Sequence, residues 1–482
     1  MGVANTIVKN TLVTIAANVI GRILSFFLII AIARELGDVG AGVYFYAFAF
    51  VGVIGLFNDI GLTQLMIREM AKDKKKARHY FNNFLTMRIL LTLATTIVAL
   101  CASFFLAKSS EEMYAIWIIA GATFFLEMAT SLTVVFISSE KMEYSSLSAL
   151  IERIFSVGLG LAALYTNGTV IALMFAFLIS YFITFVYSYL TVIYKFFSVG
   201  FGFDIELWKK LLKEAMPFWL TSVFTTIYFR IDTIMLKQYT GLAVVGWYSA
   251  AHALLDALYF IPASVIAAVF PAMSRSSTTD KSSLHEIYRR AFYYLFLLAL
   301  PLGIGTTILA DKIILFIYPG DKFLHSIVIL KILIWAEVII FVSYLNGYLL
   351  NSINKQKLFT IATAVGAVFN IGLNLLLIPK YSYIGTSIAI VASELLVFSM
   401  LFYYVNREGY RVNLLKVAFK PLIAGIGMGG ALLYLRTIIP DTNLSLFILG
   451  AAGFATYLAI IFLIKGIGSE EIGIVRSFFK KN

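Results

Sequence analysis

Residues 36–47 read LGDVGAGVYFYA, and residues 240–251 read TGLAVVGWYSAA. At an offset of 204 positions, the two stretches share two glycines, a tyrosine and an alanine. Each stretch lies between two long apolar segments and is followed along the chain by a strongly basic one. We interpret them as corresponding parts of two copies of one duplicated unit, although glycine and tyrosine recurring at helix contacts would give the same pattern.

The composition around this repeat is that of a membrane protein. The 482 residues are 61% hydrophobic and 13% charged, with a mean hydropathy of +0.91, whereas soluble domains are about 45–50% apolar and about 25% charged. Apolar runs recur along the whole chain and leave no room for a large catalytic domain, so we do not expect an enzyme. One cysteine, Cys101, excludes a disulfide framework, and four histidines leave little scope for zinc, so no metal or cofactor is expected.

Fourteen segments are apolar and long enough to cross about 30 Å of hydrocarbon, which takes about 20 residues of helix. They cover residues 10–34, 39–65, 84–107, 113–138, 146–166, 169–194, 217–239, 242–273, 291–311, 325–350, 357–378, 383–406, 419–438 and 444–466. The predicted fold class is therefore an all-α, polytopic membrane protein. The two repeat copies are six spans apart, an even number, so both insert with the same orientation.

The repeat also predicts the domain organisation. An N-terminal lobe at residues 1–195 would hold spans 1 to 6, and a C-terminal lobe at residues 196–406 would hold spans 7 to 12. Two extra C-terminal helices, spans 13 and 14, and a cytoplasmic tail would occupy residues 407–482.

The net charge of +12 follows the predicted topology. Lysine and arginine concentrate in the N-terminal segment, the even-numbered loops and the C-terminal tail, which the positive-inside rule assigns to the cytoplasm. We therefore predict a multi-pass protein of the cytoplasmic membrane with both termini in the cytoplasm and with its basic loops attracted to anionic membrane lipids. A nucleic-acid-binding surface would need a folded basic domain, which the short loops exclude.

Short motifs in both halves resemble a known family. They are Arg34-Glu35-Leu36-Gly37 with Gly42 and Tyr44, Asp59-Ile60-Gly61-Leu62, Arg68-Glu69-Met70-Ala71, and in the second half the stretches 228–236, 245–251 and 270–273. Together with fourteen spans, they resemble the polysaccharide flippases of the multidrug/oligosaccharidyl-lipid/polysaccharide (MOP) exporter superfamily. The resemblance implies two six-helix lobes around a central cavity and export of isoprenoid-linked sugars by alternating access.

Arginines inside the predicted spans are candidates for binding substrate. A charge at mid-bilayer costs roughly 2.5–3.5 kcal/mol on insertion scales, so it usually faces a cavity or a partner. Asn18 and Arg22 lie on one polar face of the first span, and Arg230 lies in the seventh. A guanidinium there could bind a phosphate or pyrophosphate bidentately or pair with a buried carboxylate. Arg88 is a further candidate, although its place near a span end favours a side chain that snorkels to the interface.

Intramembrane acids are candidates for ion coupling or charge pairing. His252 and Asp256 are four residues apart on one face of the eighth span and form the best proton-relay pair, with an internal hydrogen bond as the alternative. Asp232 is two residues from Arg230, or about 200° around the helix, so the two side chains should point apart. The other candidates are Asp59, Glu127, Glu337 and Glu394.

The leading hypothesis is a flippase that translocates a polyprenyl-(pyro)phosphate-linked oligosaccharide for cell-surface polysaccharide or glycan biosynthesis. Its partners would be this lipid-linked oligosaccharide, membrane lipids and, as candidates, glycan-assembly proteins. No Gly-x-x-x-x-Gly-Lys-Ser/Thr phosphate loop is present, so an H⁺ or Na⁺ gradient or the membrane potential is the expected drive. Spans 13 and 14 could guide the polyprenyl tail.

Three other functions remain open at this point. A cation-coupled multidrug antiporter would prefer a cavity dominated by carboxylates and aromatic residues. A membrane glycosyltransferase or polymerase would need an acidic outer loop, yet the longest, residues 311–324, has only Asp311 and Asp321. A scaffold for a glycan-assembly complex would tolerate neutralisation of every intramembrane charge.

Overall fold

The chain is helical throughout the part that the structure describes. The structure is a computed structural model that describes the backbone of residues 3–466 and the side chains of residues 20–466, except those of Thr221, Phe229 and Asn443. Within these ranges the α-helices are α1 (Val3–Ile54), α2 (Leu56–Asp59), α3 (Leu62–Lys72), α4 (Ala77–Leu106), α5 (Ser110–Ser138), α6 (Met142–Asn167), α7 (Val170–Lys195), α8 (Ile205–Thr240), α9 (Leu242–Asp256), α10 (Phe260–Thr279), α11 (Lys281–Ile317), α12 (His325–Ser352), α13 (Gln356–Arg407), α14 (Leu414–Ile438) and α15 (Asn443–Leu463). A 3₁₀ turn, Ala257–Tyr259, separates α9 from α10.

The predicted all-α, polytopic fold class is confirmed. Eleven helical segments in the described ranges are long and apolar enough to cross a membrane. Two of these segments contain the 52-residue helices α1 and α13, which kink at the non-helical residues Gly37 and Ser382. Each consists of two helices joined at that residue, which together hold about 78 Å of helix at about 1.5 Å per residue, enough for two spans. The count of fourteen spans stays a prediction.

Side-chain caps set several helix starts. Ser109 accepts a hydrogen bond from the Glu112 amide at the start of α5, and Asp204 accepts one from the Leu207 amide at the start of α8. Such caps satisfy amides that have no partner within the helix. The chain folds into two units, Met1–Ala253 and Leu254–Asn482.

The first unit contains α1 to α8 and most of α9. Its core includes Phe81, Phe84, Leu132 and Phe136 from α4 and α5, together with Leu65 of α3. Hydroxyl pairs join α6 to α7, with 2.9 Å between the Oγ atoms of Ser148 and Ser188 and 2.8 Å between those of Ser156 and Ser180. Small polar residues of this kind let membrane helices approach closely.

The second unit contains α10 to α15. Its helices α14 and α15 pack on α11 through Met428, Leu449, Tyr457 and other apolar residues. A Cβ at Gly425 would lie 2.5 Å from Ile304 of α11, and one at Gly427 would lie 2.3 Å from Ile460 of α15. The small-residue stripe of α14 therefore serves close packing on both neighbours within this unit. The lobe boundaries predicted from the repeat stay a prediction.

Candidate functional site

The two copies of the sequence repeat pack against each other inside the first unit. Gly37 and Gly241, the first shared glycine of each copy, have φ angles of 70° and 110° and interrupt the helix. The second shared glycines, Gly42 and Gly246, are buried. A Cβ on Gly42 would lie 1.9 Å from the Leu242 carbonyl oxygen, and one on Gly246 would lie 2.0 Å from the Asp38 carbonyl oxygen.

This contact is self-complementary. Leu242 is the counterpart of Asp38 in the repeat, so each copy presents its glycine to the same carbonyl position of the other. Such reciprocity is typical of surfaces related by a two-fold axis. The indole Nε1 of Trp247 adds a hydrogen bond of 3.0 Å to Asp38 Oδ2. We call the contact of Asp38, Gly42, Leu242 and Gly246 the glycine junction.

A buried ion pair lies in the helices next to the junction. Lys237 of α8 and Glu112 of α5 are both fully buried, and the Lys237 ammonium forms an ion pair with Glu112 Oε1. The ammonium also donates to the Leu106 carbonyl at 2.6 Å and lies 4.5 Å from the centre of the Tyr46 ring. It therefore ties the end of α8 to α4, α5 and the repeat segment of α1.

Sequence reasoning missed this pair for a physical reason. Lys237 is in the last turn of α8 and Glu112 is in the first turn of α5. The helix dipole favours a positive charge at the C-terminal end and a negative charge at the N-terminal end, so both residues have the sign that is common there. Both residues therefore look like surface charges at helix ends. Only their contact across 125 residues of sequence identifies them as a pair.

Arg88, Asp59 and Glu127 form a charge cluster around the buried guanidinium of Arg88. The Arg88 side chain is 1% exposed, with its Nη1 2.9 Å from Asp59 Oδ1 and its Nη2 2.5 Å from Glu127 Oε2. Its Nε donates to Ser131 Oγ at 3.0 Å. Arg88 thus does not snorkel to the interface as its place in the sequence favours, because two carboxylates hold the guanidinium inside the bundle.

The cluster carries one negative charge in excess and borders open space. Asn58 Nδ2 donates to Glu127 Oε1 at 3.2 Å, and the Thr63 hydroxyl donates to Asp59 Oδ1 at 2.6 Å. A cavity of about 470 Å³ lies next to Asp59, Arg88 and Glu127. We call the group of Asp59, Arg88 and Glu127 the Arg88 cluster.

A second group of charges is predominantly positive. Arg22 of α1, Arg153 of α6 and Arg230 of α8 are all exposed within the first unit. Arg153 Nη1 donates to Ser25 Oγ at 3.1 Å, and a Cβ on Gly21 would lie 3.1 Å from Arg153 Cγ, so Arg153 packs beside the α1 turn that carries Arg22. Arg153 and Arg230 both act electrostatically on the Tyr44 hydroxyl.

We call Arg22, Arg153 and Arg230 the arginine face. Glu152 forms an ion pair with Arg153 of this face, with 3.2 Å between Glu152 Oε2 and Arg153 Nε. The side chain of Asn18, the other predicted substrate contact on α1, lies outside the described side chains. The contact of Arg153 with α1 is visible only in the fold.

Asp232 and Arg230 point apart on α8, since Asp232 is 3% exposed and Arg230 is exposed. Asp232 accepts hydrogen bonds from the Tyr248 hydroxyl and, at 2.7 Å, from the Thr233 amide. His252 acts electrostatically on Asp232, and its ring centre lies 5.9 Å from that of Tyr248. The structure therefore brings His252 near Asp232, and Asp256 is the exposed last residue of α9, so the predicted relay of His252 and Asp256 stays a prediction.

The two remaining predicted acids lie in the second unit. Glu337 of α12 and Glu394 of α13 are 6% and 5% exposed, on helices that pack against each other. Across the described residues, no group of three or more His, Cys, Asp or Glu side chains is arranged to hold a metal ion.

Comparisons with known proteins agree with this architecture. The family model described as polysaccharide biosynthesis protein matches residues 7–277, and the MatE model matches residues 217–376. An uncharacterised membrane protein of Methanocaldococcus jannaschii is 23% identical over 94% of this chain and 96% of its own length. A probable low-salt glycan biosynthesis flippase of Haloferax volcanii is 22% identical over 78% of this chain and 79% of its own.

Among solved structures, a lipid II flippase in an inward closed conformation has a similar fold. Its TM-score is 0.77 at 18% sequence identity, over 94% of this chain and 98% of that one. The resemblance to the MOP superfamily that the sequence motifs indicate is confirmed.

Proposed function

The chain belongs to the polysaccharide biosynthesis protein family, and we propose that it is a flippase for a polyprenyl-(pyro)phosphate-linked oligosaccharide. It would move this lipid across the cytoplasmic membrane by alternating access, with both termini in the cytoplasm and without covalent chemistry. The observation that carries the proposal is the arginine face. Three guanidiniums on helices predicted to lie in the membrane provide the charge that a phosphate bridge needs.

The arginine face suits a phosphodiester or pyrophosphate better than a neutral substrate. Arg22 and Arg153 lie side by side on α1 and α6, and Arg230 is exposed on α8 in the same unit. A guanidinium presents paired N–H groups that match phosphate oxygens, and it stays charged at every physiological pH. Arg88 has a different role in this scheme, because its guanidinium is already bound to two carboxylates.

Alternating access requires a contact that closes one side of the substrate path and can release. The glycine junction fits this role because its two halves come from the two repeat copies. Glycine allows backbone atoms to meet without interlocking side chains, so such a contact can separate without repacking a core. The charge pattern predicts that the junction lies on the outer side of the membrane.

We assign the drive to the acids of the first unit. The Arg88 cluster has one net negative charge next to a cavity, where a carboxylate can take up a proton or a small cation. We assign a second relay to Asp232, Tyr248 and His252. Glu337 and Glu394 would serve pairing inside the second unit.

The lipid tail would follow the second unit. A cavity of about 190 Å³ is lined only by apolar residues of α11 to α14, among them Phe292, Val338, Leu395 and Leu414. Helices α14 and α15 pack on α11, one of the helices that line this cavity. A polyprenyl chain could run there while its tail end stays in lipid.

A test is transbilayer movement in proteoliposomes of purified protein. A fluorescent polyprenyl pyrophosphate carrying N-acetylglucosamine is placed in one leaflet, and an added glycosidase reports how much has crossed. We expect protein-dependent movement that responds to an imposed pH or sodium gradient. Absence of movement for this probe and for its monophosphate form, with folded protein, would contradict the proposal.

A cation-coupled multidrug antiporter is the second candidate, because the MatE model matches residues 217–376. Its substrates are organic cations, which the acids of the Arg88 cluster would attract and the arginine face would repel. Gradient-driven uptake of a cationic dye by the same proteoliposomes, with no movement of the sugar lipid, would favour it.

A further inference from the structure

Two tyrosines interrupt a buried stretch of α12 in the second unit. From Phe341 to Leu350, every residue is buried except Tyr344 and Tyr348, which are half-buried and lie one turn apart. The two rings therefore form the accessible face of an otherwise enclosed helix. Their centres are 5.1 Å apart with an angle of 62° between the ring planes.

Two further rings extend this face. Tyr259, from the 3₁₀ turn between α9 and α10, lies 5.1 Å from Tyr344, and Phe270 of α10 lies 5.2 Å from Tyr348. The order is Tyr259, Tyr344, Tyr348, Phe270, all in edge-to-face contact, over about 15 Å. We call these four residues the tyrosine row.

Three of the four rings also carry a hydroxyl group, those of Tyr259, Tyr344 and Tyr348. The row thus combines aromatic faces with a line of hydroxyl groups that can donate and accept hydrogen bonds. An aromatic face that only meets lipid needs no hydroxyl, so the three hydroxyls of the row favour a ligand that can form hydrogen bonds.

Only part of the row lies where an interfacial aromatic belt would be, because Tyr348 and Phe270 are near the ends of the predicted spans 325–350 and 242–273, whereas Tyr259 is not. Tyrosines of such belts lie at headgroup level, near the ends of spans. Tyr259 lies at the middle of the predicted span 242–273, where the helix is interrupted by the 3₁₀ turn. Short 3₁₀ segments inside a helix often mark functional positions. The break allows the Tyr259 ring to reach α12.

We propose that the tyrosine row binds the sugar rings of the transported lipid, an inference that rests on the proposed flippase function. A pyranose has an apolar C–H face with a hydroxyl rim, which complements an aromatic face bordered by hydroxyls.

The test compares two probes on the full-length protein in nanodiscs. One probe is polyprenyl pyrophosphate carrying N,N′-diacetylchitobiose, and the other is the same polyprenyl pyrophosphate without sugar. We expect wild-type protein to bind the sugar-bearing probe about tenfold more tightly, which corresponds to two favourable ring contacts. Tyr344→Ala/Tyr348→Ala should reduce this ratio to below about twofold, without weakening binding of the sugar-free probe.

Two further variants make the result specific. Tyr344→Phe keeps the ring and removes the central hydroxyl, so it should lower the ratio by about threefold and keeps the test valid if the double variant does not fold. Tyr434→Ala removes a ring that is 68% exposed on α14 and should leave the ratio unchanged.

An unchanged ratio in both Tyr344 variants would overturn the assignment of the tyrosine row while leaving the flippase proposal intact. Failure of wild-type protein to bind either probe would contradict the flippase proposal itself and the inference with it.

Discussion

Gly42 and Gly246 are 204 residues apart, yet each lies against the carbonyl of the residue four positions before the other. This reciprocal contact explains why glycine occurs at the same place in both copies of the repeat. A methyl group at either position would overlap a backbone oxygen, which cannot move aside as the end of a flexible side chain can.

The first prediction concerns this junction. Gly42→Ala and Gly246→Ala should each lower the rate of lipid translocation at least tenfold, because the two repeat segments can no longer meet. The rate is measured with the glycosidase-protection assay in proteoliposomes. Gly52→Ala is the matched control on α1, since a Cβ there meets no atom within 4 Å. Wild-type rates in all three variants would show that the junction need not close during transport.

The second prediction concerns the arginine face. Arg22→Ala/Arg230→Ala should lower translocation about a hundredfold, since each lost charge-assisted hydrogen bond contributes about 1.5–3 kcal/mol. Arg153→Ala should lower it about tenfold. Arg78→Ala, an exposed arginine in the first turn of α4, is the control and should retain the wild-type rate. Normal translocation by the double variant would refute the phosphate role of these residues.

The third prediction concerns the Arg88 cluster. Asp59→Asn removes its excess negative charge while preserving the shape of the side chain, so the variant should still move lipid downhill but no longer accelerate when a pH or sodium gradient is imposed. The readout is the ratio of rates with and without the gradient. Asp73→Asn, outside the cluster in the turn after α3, should keep the wild-type ratio. A gradient response that survives in Asp59→Asn would move the coupling site to Asp232 and His252.

Sequence reasoning reached the fold class because the physics of membrane insertion is local. Each apolar run of about 20 residues predicts a membrane-spanning helix without information from the rest of the chain. The glycines of the repeat can likewise be found by comparing the two halves of the sequence. The partners of individual charges depend on contacts across the fold and were not accessible in this way. Arg88 looked like a residue near a span end, and Lys237 and Glu112 looked like ordinary charges at helix termini, until the structure placed each beside its partner.

The repeat also could not indicate which helices pack together. The offset of 204 residues assigned α8 to the second half, while the contacts of Gly42, Gly246 and Lys237 place α8 and most of α9 in the unit that contains α1. The unit that is duplicated follows the order of residues along the chain. The compact unit of the structure follows from which helices pack against each other. The two divisions differ because the junction between the copies is itself a packed interface.

The last prediction tests how firmly α8 is held there. Lys237→Met leaves the Glu112 carboxylate buried without its counter-ion, which destabilises the folded protein by about 3–5 kcal/mol when a buried pair is broken from one side. The expected result is a clearly lower thermal unfolding midpoint of the detergent-solubilised protein. Lys237→Met/Glu112→Leu removes both charges and should recover most of the midpoint, because no buried charge remains.

Lys312→Met is a useful comparison, since its partner Asp441 is mostly solvent-exposed and can be hydrated when the lysine is lost, so the midpoint should change little. If Lys237→Met and the double variant unfold at the same temperature as the wild type, the ion pair does not anchor α8, and its other contacts, such as the hydrogen bond from Gln238 to Tyr46, must hold it in place.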